Sequence, residues 1–371
     1  MRWDNLKLDD TPAGPGPASR APALFERGAV TRTFDTPGFR GITFYEIHAR
    51  SIINKVPTAS RVPFRWTINP YRGCSHSCVY CFARNTHTYL DLDAGLDFNS
   101  KIIVKINAAE LARKELTARR WRAEHVAMGT NVDCYQRAEG RYRLMPGIIS
   151  ALGEAGNPFS ILTKGTLILR DLDLLIEAAQ VTDVGLSTSV GSVDEELWRL
   201  VEPGTPSPRR RLDVCARLAE NGLPCGVLMG PVIPFLSDSP AQLAQTVRHI
   251  AEAGASQVSP IVLHLRPGAR EWFGAWLREH HPRLVPAYRD LYGNGSYAPK
   301  AYQQRIADEV RELAQRYSVG RPRPGAARAL QRSARPARSA QSRGASGGGP
   351  PGPIPTGGAA ASGGHIQLSL L

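Results

Sequence analysis

Two periods alternate along the middle of the chain. Short apolar runs bounded by Gly, Pro or Asn read as strands, and stretches with apolar residues three and four apart read as helices. Strands are predicted at residues 65–69 (RWTIN), 124–129 (EHVAMG), 158–163 (PFSILT), 183–190 (DVGLSTSV), 225–233 (CGVLMGPVI) and 256–263 (SQVSPIVL). Helices are predicted at 108–121, 145–155, 171–179, 209–221 and 240–253, with two or three more after the last strand, the final one near 299–317. Asp171 opens one of them, where a carboxylate suits the helix dipole, and Gly222 and Gly254 close two others. Successive strand–helix units imply parallel strands with helical crossovers. That suits an open (β/α)6 partial barrel or a doubly wound sheet. In both, chemistry collects at the C-terminal ends of the strands.

The flanks read differently. Residues 1 to about 30 contain TPAGPGPASRAPA, too poor in large apolar residues to build a core. After Gly320 the text RPRPGAARALQRSARPARSAQSRGASGGGPPGPIPTGGAAASGG is low-complexity and reads as disordered, before a last apolar HIQLSLL. The expected organisation is a flexible segment over 1–30, an extension over 31–64 packing on the barrel, the barrel over 65–318, a linker over 319–364 and an apolar motif over 365–371.

Composition adds limits. A chain of 371 residues, 42 % of them apolar, suits one large α/β domain with extensions. No apolar run approaches the length of a membrane span, and the start MRWDNLKLDD is not a secretion signal, so a cytoplasmic location is expected. There, six cysteines read as metal ligands or free thiols and not as a disulfide framework. The net charge is +13, but the tail from Arg321 on holds seven arginines and no acid, so the preceding 320 residues carry only +6. A basic tail suits nucleic acid, or it is simply solubilising.

The candidate chemistry lies at 69–85, NPYRGCSHSCVYCFARN, directly after the first strand. Cys74, Cys78 and Cys81 are spaced C-x3-C-x2-C. Three thiolates on a compact loop suit three irons of a cubane cluster, and the fourth iron is then free for a small chelating molecule. A zinc site could recruit His76 or His87 instead, and a closed cluster could recruit Cys134, Cys215 or Cys225. Cys215 and Cys225 sit in apolar contexts that suit a core.

With Tyr80 before the last cysteine, the motif resembles that of the radical S-adenosylmethionine superfamily. The blocks GTNVDCYQRAE, ILTKGTLILRDLDLL, LSTSV, LVEPGTPSPRRRLD and GPVIPFLSD resemble in particular the branch that includes spore photoproduct lyase. The resemblance runs from about Arg40 to Ala314. It implies a partial (β/α)6 TIM-type barrel. It also implies a [4Fe-4S] cluster on Cys74, Cys78 and Cys81 whose unique iron binds the amino and carboxylate groups of S-adenosylmethionine. Reductive cleavage to a 5′-deoxyadenosyl radical, hydrogen abstraction from substrate, and an electron donor such as a flavodoxin, ferredoxin or reductase follow from the same resemblance. So do the site positions. Tyr80 lies beside the adenine, and Lys164 with Ser187 or Ser189 meets the carboxylate and ribose. Many superfamily members have a Gly-Gly-Glu run after the second strand. Here the text is GTNVDCYQ, which makes Asn131 or Asp133 the candidate for the amino group. Cys134 stands where the branch commonly has Pro. In spore photoproduct lyase a cysteine on the corresponding segment returns hydrogen to the product radical, so Cys134 is a candidate donor, or else a tolerated Pro replacement.

The substrate expectation is a DNA lesion. The alternatives are a peptide, tRNA or metabolite, or a non-radical iron–sulfur protein of electron transfer or DNA binding. Arg50, Arg84, Arg170 and Arg211 read as anion binders or as surface ion-pair partners. His87 reads as a neighbour of the cysteine loop, Glu202 and Pro203 as loop-shaping, and Trp272, Phe273 and Trp276 as core. The last five residues, Gln367, Leu368, Ser369, Leu370 and Leu371, resemble the pentapeptide by which bacterial replication and repair proteins dock on the sliding clamp, with Leu in place of the usual final Phe. On a flexible tether such an anchor raises local concentration at a partner.

Overall fold

The computed structural model describes residues 29–320 except 59 and 61. The expected linker beyond Gly320 and the clamp-like pentapeptide lie outside the described residues. Eleven strands form two sheets: β1 (Val30–Thr33), β2 (Thr43–Ile47), β3 (Ile53–Lys55), β4 (Trp66–Ile68), β5 (Tyr71–Arg72), β6 (Lys101–Lys105), β7 (Val126–Met128), β8 (Phe159–Thr163), β9 (Val184–Ser189), β10 (Cys225–Val232) and β11 (Gln257–Val262). The larger sheet has the order β11-β10-β9-β8-β7-β4-β3. Its six strands from β4 to β11 are parallel and follow chain order, as a partial (β/α)6 barrel requires. β3 adds antiparallel to β4 and covers that edge.

The helices are α1 (Leu96–Ser100), α2 (Ala108–Leu116), α3 (Arg137–Tyr142), α4 (Leu144–Glu154), α5 (Leu172–Ala179), α6 (Glu195–Val201), α7 (Pro208–Glu220), α8 (Pro240–Glu252), α9 (Ala269–His280), α10 (Val285–Tyr292) and α11 (Lys300–Arg316). Each crossover helix lays one apolar stripe on the sheet; α4 does so with Met145, Ile148, Ile149 and Leu152. α8 starts at a capping box built by Ser239 and Gln242, and α6 starts where the Asp194 side chain accepts from two backbone amides. Such caps contribute about 1 kcal/mol each. β7 is buried at all three positions, because helices cover the outer face of the barrel sheet and its inner face lines the barrel interior. Among the described residues no helix is long and apolar enough to cross a membrane.

Two features depart from the sequence expectation. Residues 30–47 do not simply pack as an extension. They supply β1 and β2 to a second sheet of order β1-β2-β6-β5. Its strand β6 reads KIIVK, and three consecutive apolar residues carry no alternation that separates strand from helix. Helix α2 ends at Leu116 and not at 121, with the Thr117 hydroxyl donating back to the Arg113 carbonyl at 2.8 Å.

Candidate functional site

The cysteine loop leaves the barrel at Ile68 and is caught by the second sheet. β5 pairs antiparallel with β6, and Cys74 N donates to Phe98 O at 2.9 Å. Gly73 lies at φ +80°, and a Cβ there would stand 2.8 Å from Lys101 O and 2.9 Å from the His87 ring. From the segment after β7, Gln136 brackets Cys74. Its Oε1 accepts from Ser75 N and its Nε2 donates to Gly73 O, both at 2.9 Å, and the side chain is buried. Tight turns follow, with Ser77 N to Cys74 O at 3.4 Å and Cys81 N to Cys78 O at 3.3 Å.

Cys74 and Cys78 are buried, Cys81 is half-buried, and all three are free. Burial pushes each thiol up, Cys78 to about 12. The neighbouring thiols also raise Cys74 and Cys78, and Arg84 pulls Cys81 back down. Thiols so placed become thiolates only beside a strongly cationic metal centre. Among the described residues no group of three or more His, Cys, Asp or Glu side chains could hold a single metal ion. Three free thiols on one compact loop are, by their chemistry, a donor set that suits an iron–sulfur cluster.

The loop after α6 clasps the cysteine loop from the opposite side. Val79 N donates to Val201 O and Gly204 N donates to His76 O, both at 3.0 Å. A Cβ on Gly204 would lie 2.2 Å from Ser75 O, so only glycine permits this approach. Glu202 is buried and accepts from the Tyr80 hydroxyl and from Arg211 Nη2. Arg211 Nη1 donates to Ser189 O at 2.7 Å, and Lys164 Nζ donates to Ser189 Oγ at 2.6 Å and stands 3.8 Å from Glu202. Burial opposes ionisation of Glu202, but Arg211 and Lys164 outweigh it and hold the carboxyl below its ordinary value. Burial and then the Glu202 charge keep Tyr80 protonated. Beside Tyr80 lies a small cleft, lined also by Gly191, Ser192, Glu202, Pro231 and Ile233.

Tyr80, Lys164 and Ser189 thus meet in one network at neighbouring strand ends. Ser187 lies two residues earlier on β9, on the same face by strand alternation. Asp133 is heavily engaged. Its Oδ1 accepts from Thr163 Oγ1 at 2.6 Å and from Tyr135 N at 2.9 Å, and its Oδ2 accepts from Lys164 N at 2.6 Å. His76 Nδ1 stands 3.4 Å from the same carboxylate. Asn131 is half-buried at the start of that segment. Cys134 is fully enclosed, in one apolar core with Cys74, Tyr71 and Tyr135. Burial pushes its thiol well above the usual value.

The arginines separate clearly. Arg50 is exposed. Arg170 pairs with Glu139 at 2.6 Å and Asp171 at 2.7 Å, and Tyr71 and Tyr135 donate to the same two carboxylates. Arg211 and Arg84 are both buried. His87 is buried, with Nε2 at 2.9 Å from Lys101 O, and burial pulls it down to about 4, so it is neutral and donates there. Phe273 and Trp276 are core, whereas Trp272 stacks on Arg84 with 4.6 Å to the ring centre.

Sequence reasoning underrated Glu202, Arg211 and Gln136. Arg211 carried a signal: it lies four residues before Cys215 and seven before Leu218, on the buried stripe of α7, unlike Arg209 and Arg210.

A model of the radical SAM superfamily matches residues 68–247. An uncharacterized protein of Mycobacterium tuberculosis is 49 % identical over 329 residues, covering 87 % of this chain and 96 % of the relative. An uncharacterized protein of Methanocaldococcus jannaschii is 30 % identical over 199 residues, 53 % of this chain and 70 % of the relative. Among solved structures the fold resembles spore photoproduct lyase complexed with dinucleoside spore photoproduct. The TM-score is 0.57 at 16 % identity, covering 75 % of this chain and 80 % of that one.

Proposed function

The chain belongs to the radical S-adenosylmethionine superfamily of enzymes, and on that premise we propose that it is a spore photoproduct lyase-like radical enzyme acting on a damaged base of nucleic acid. The observation that carries this reading is the convergence of three free thiols, two of them buried, with Tyr80, Lys164 and Ser189 beside neighbouring strand ends. Bound there, a [4Fe-4S] cluster and S-adenosylmethionine supply one-electron cleavage of the sulfonium and a carbon radical that takes hydrogen from substrate.

The protein's own residues do the holding. Lys164 offers a charge-assisted bond to the methionine carboxylate, and Ser187 or Ser189 offers a hydroxyl to the ribose. Tyr80 flanks the adenine in the adjoining cleft, with its ring angle fixed by Glu202. Asn131 and Asp133 are the candidates for the amino group. Three of the roughly four acceptor positions of Asp133 are already engaged, so the last is the one available. An electron carrier of the flavodoxin, ferredoxin or reductase kind completes the system.

A rim next to Cys81 supports a base as substrate. Phe82 and Tyr297 are exposed at 42 % and 41 %, and Arg266 lies 5.4 Å and 5.9 Å from their ring centres. Aromatic faces and a guanidinium plane are what an unstacked base prefers. The arginine-rich tail and its clamp-like pentapeptide suit the same setting. In this reading Cys134 is the candidate hydrogen donor, and its enclosure means the segment after β7 must open for the thiol to reach a substrate radical.

The test is anaerobic. The cluster is reconstituted and reduced, S-adenosylmethionine is added, and 5′-deoxyadenosine is measured by chromatography. An intact cluster that releases none defeats the radical reading. Oligonucleotides with and without a thymine photoproduct then test the substrate. Equal, unproductive behaviour toward both moves the assignment to a peptide, tRNA or metabolite.

A further inference from the structure

Arg84 is fully buried three residues after the last cluster cysteine. Its guanidinium donates to Gly95 O at 2.8 Å, Cys78 O at 2.9 Å, Asn99 Oδ1 at 3.1 Å and Ala94 O at 3.3 Å. It lies between the rings of Phe98 and Trp272, 5.3 Å and 4.6 Å from their centres. All these partners are neutral, and Nε has no partner. No ion pair among the described residues includes Arg84. That sets it apart from Arg211, paired with Glu202, and from Arg170, paired with Glu139 and Asp171.

A buried cation without an anion is strongly unfavourable. Arg84 follows Cys81 by three residues and donates to the Cys78 carbonyl, so its charge lies against the loop that carries the three cysteines. We propose that Arg84 is the built-in counter-charge of the iron–sulfur cluster, and that it raises the cluster's reduction potential. Three thiolates give the cluster a net negative charge, and reduction adds one more. A fixed cation in a low-dielectric surround stabilises the reduced form more than the oxidised one. It therefore makes the first electron easier to deliver. The Cys78 carbonyl bond also holds the cation in register with the ligand loop, so loop and charge move together.

This rests on the cluster reading above. The experiment uses the full chain with its cluster reconstituted, in wild-type, Arg84→Gln and Arg84→Lys forms. Iron and sulfide are counted, and the reduced cluster is followed by electron paramagnetic resonance during a redox titration. Arg84→Gln shifts the reduction equilibrium about tenfold or more toward the oxidised state, ~59 mV for a one-electron couple. Arg84→Lys, which keeps the charge and loses the fork, stays close to wild type. Loss of the cluster in Gln but not in Lys is the same result in stronger form. The assignment is overturned if the two variants behave alike, because the hydrogen-bonding fork then holds the loop. It is also overturned if Arg84→Gln keeps the wild-type potential. A wild-type chain that takes up no cluster at all sinks the underlying reading instead.

Discussion

The Tyr80 hydroxyl donates to Glu202 across 122 positions of sequence, tying the residue beside Cys81 to the loop after α6. Glu202 is also the anion that Arg211 and Lys164 share. Replacing it by Ala leaves the buried Arg211 and the half-buried Lys164 without their shared anion. Glu202→Ala should cost about 3–5 kcal/mol in denaturant unfolding, whereas Tyr80→Phe should cost only about 1 kcal/mol. A Glu202→Ala loss no larger than that of Tyr80→Phe would show that the charges are solvated and the clasp is loose.

Gly204 makes a separate prediction. Its missing Cβ leaves room for Ser75 O, and the obstructing atom is backbone, which cannot rotate aside. Gly204→Ala should push the two loops apart and reduce iron retention several-fold, while the far-ultraviolet circular dichroism of the barrel is unchanged. Full iron content in that variant would contradict the close approach.

His87 sets a pH dependence. Its pKa falls from 6.5 unfolded to about 4 folded, first because it is buried. Between those values the unfolded chain binds the proton and the folded chain does not, so stability drops as pH falls through the window. The full effect is worth up to about 3 kcal/mol. His264, also drawn down to about 4 by burial, acts in the same direction. Denaturation midpoints measured from about pH 7 to about pH 4 should fall, and His87→Gln should flatten part of the slope. An identical slope in the variant would place the acid sensitivity elsewhere.

Cys134 separates two roles by different readouts. As a core residue, Cys134→Ser buries a hydroxyl and should cost about 1–3 kcal/mol. As a hydrogen donor, Cys134→Ala should leave 5′-deoxyadenosine formation intact and alter how the product radical is quenched, read by solvent deuterium in the product. Unchanged deuterium incorporation removes the donor role.

Much of the barrel was legible because its strands and helices carry distinct periods. Strand β8 and helices α4, α5, α7 and α8 fall within one residue of their expected bounds at every end. The second sheet was hidden because KIIVK has no alternation and its partner β5 is two residues long. At the site, the three cysteines announce themselves by spacing. The groups that hold them do not, because Gln136, Gly204 and Arg211 are brought in by tertiary contacts far away in sequence. A Glu in EPGT looks like an ordinary turn residue until burial shows that it balances two cations.

The clasp also orders events in time. The cysteines at 74–81 are synthesised well before Gly204 and Arg211 exist, yet their enclosure depends on those residues. During synthesis the nascent thiols stand open to oxidants and to adventitious metals. On the proposed cluster reading, iron–sulfur loading belongs after the α6–α7 segment has emerged and closed, so a chain truncated before Gly204 should carry its three cysteines and still fail to retain a cluster.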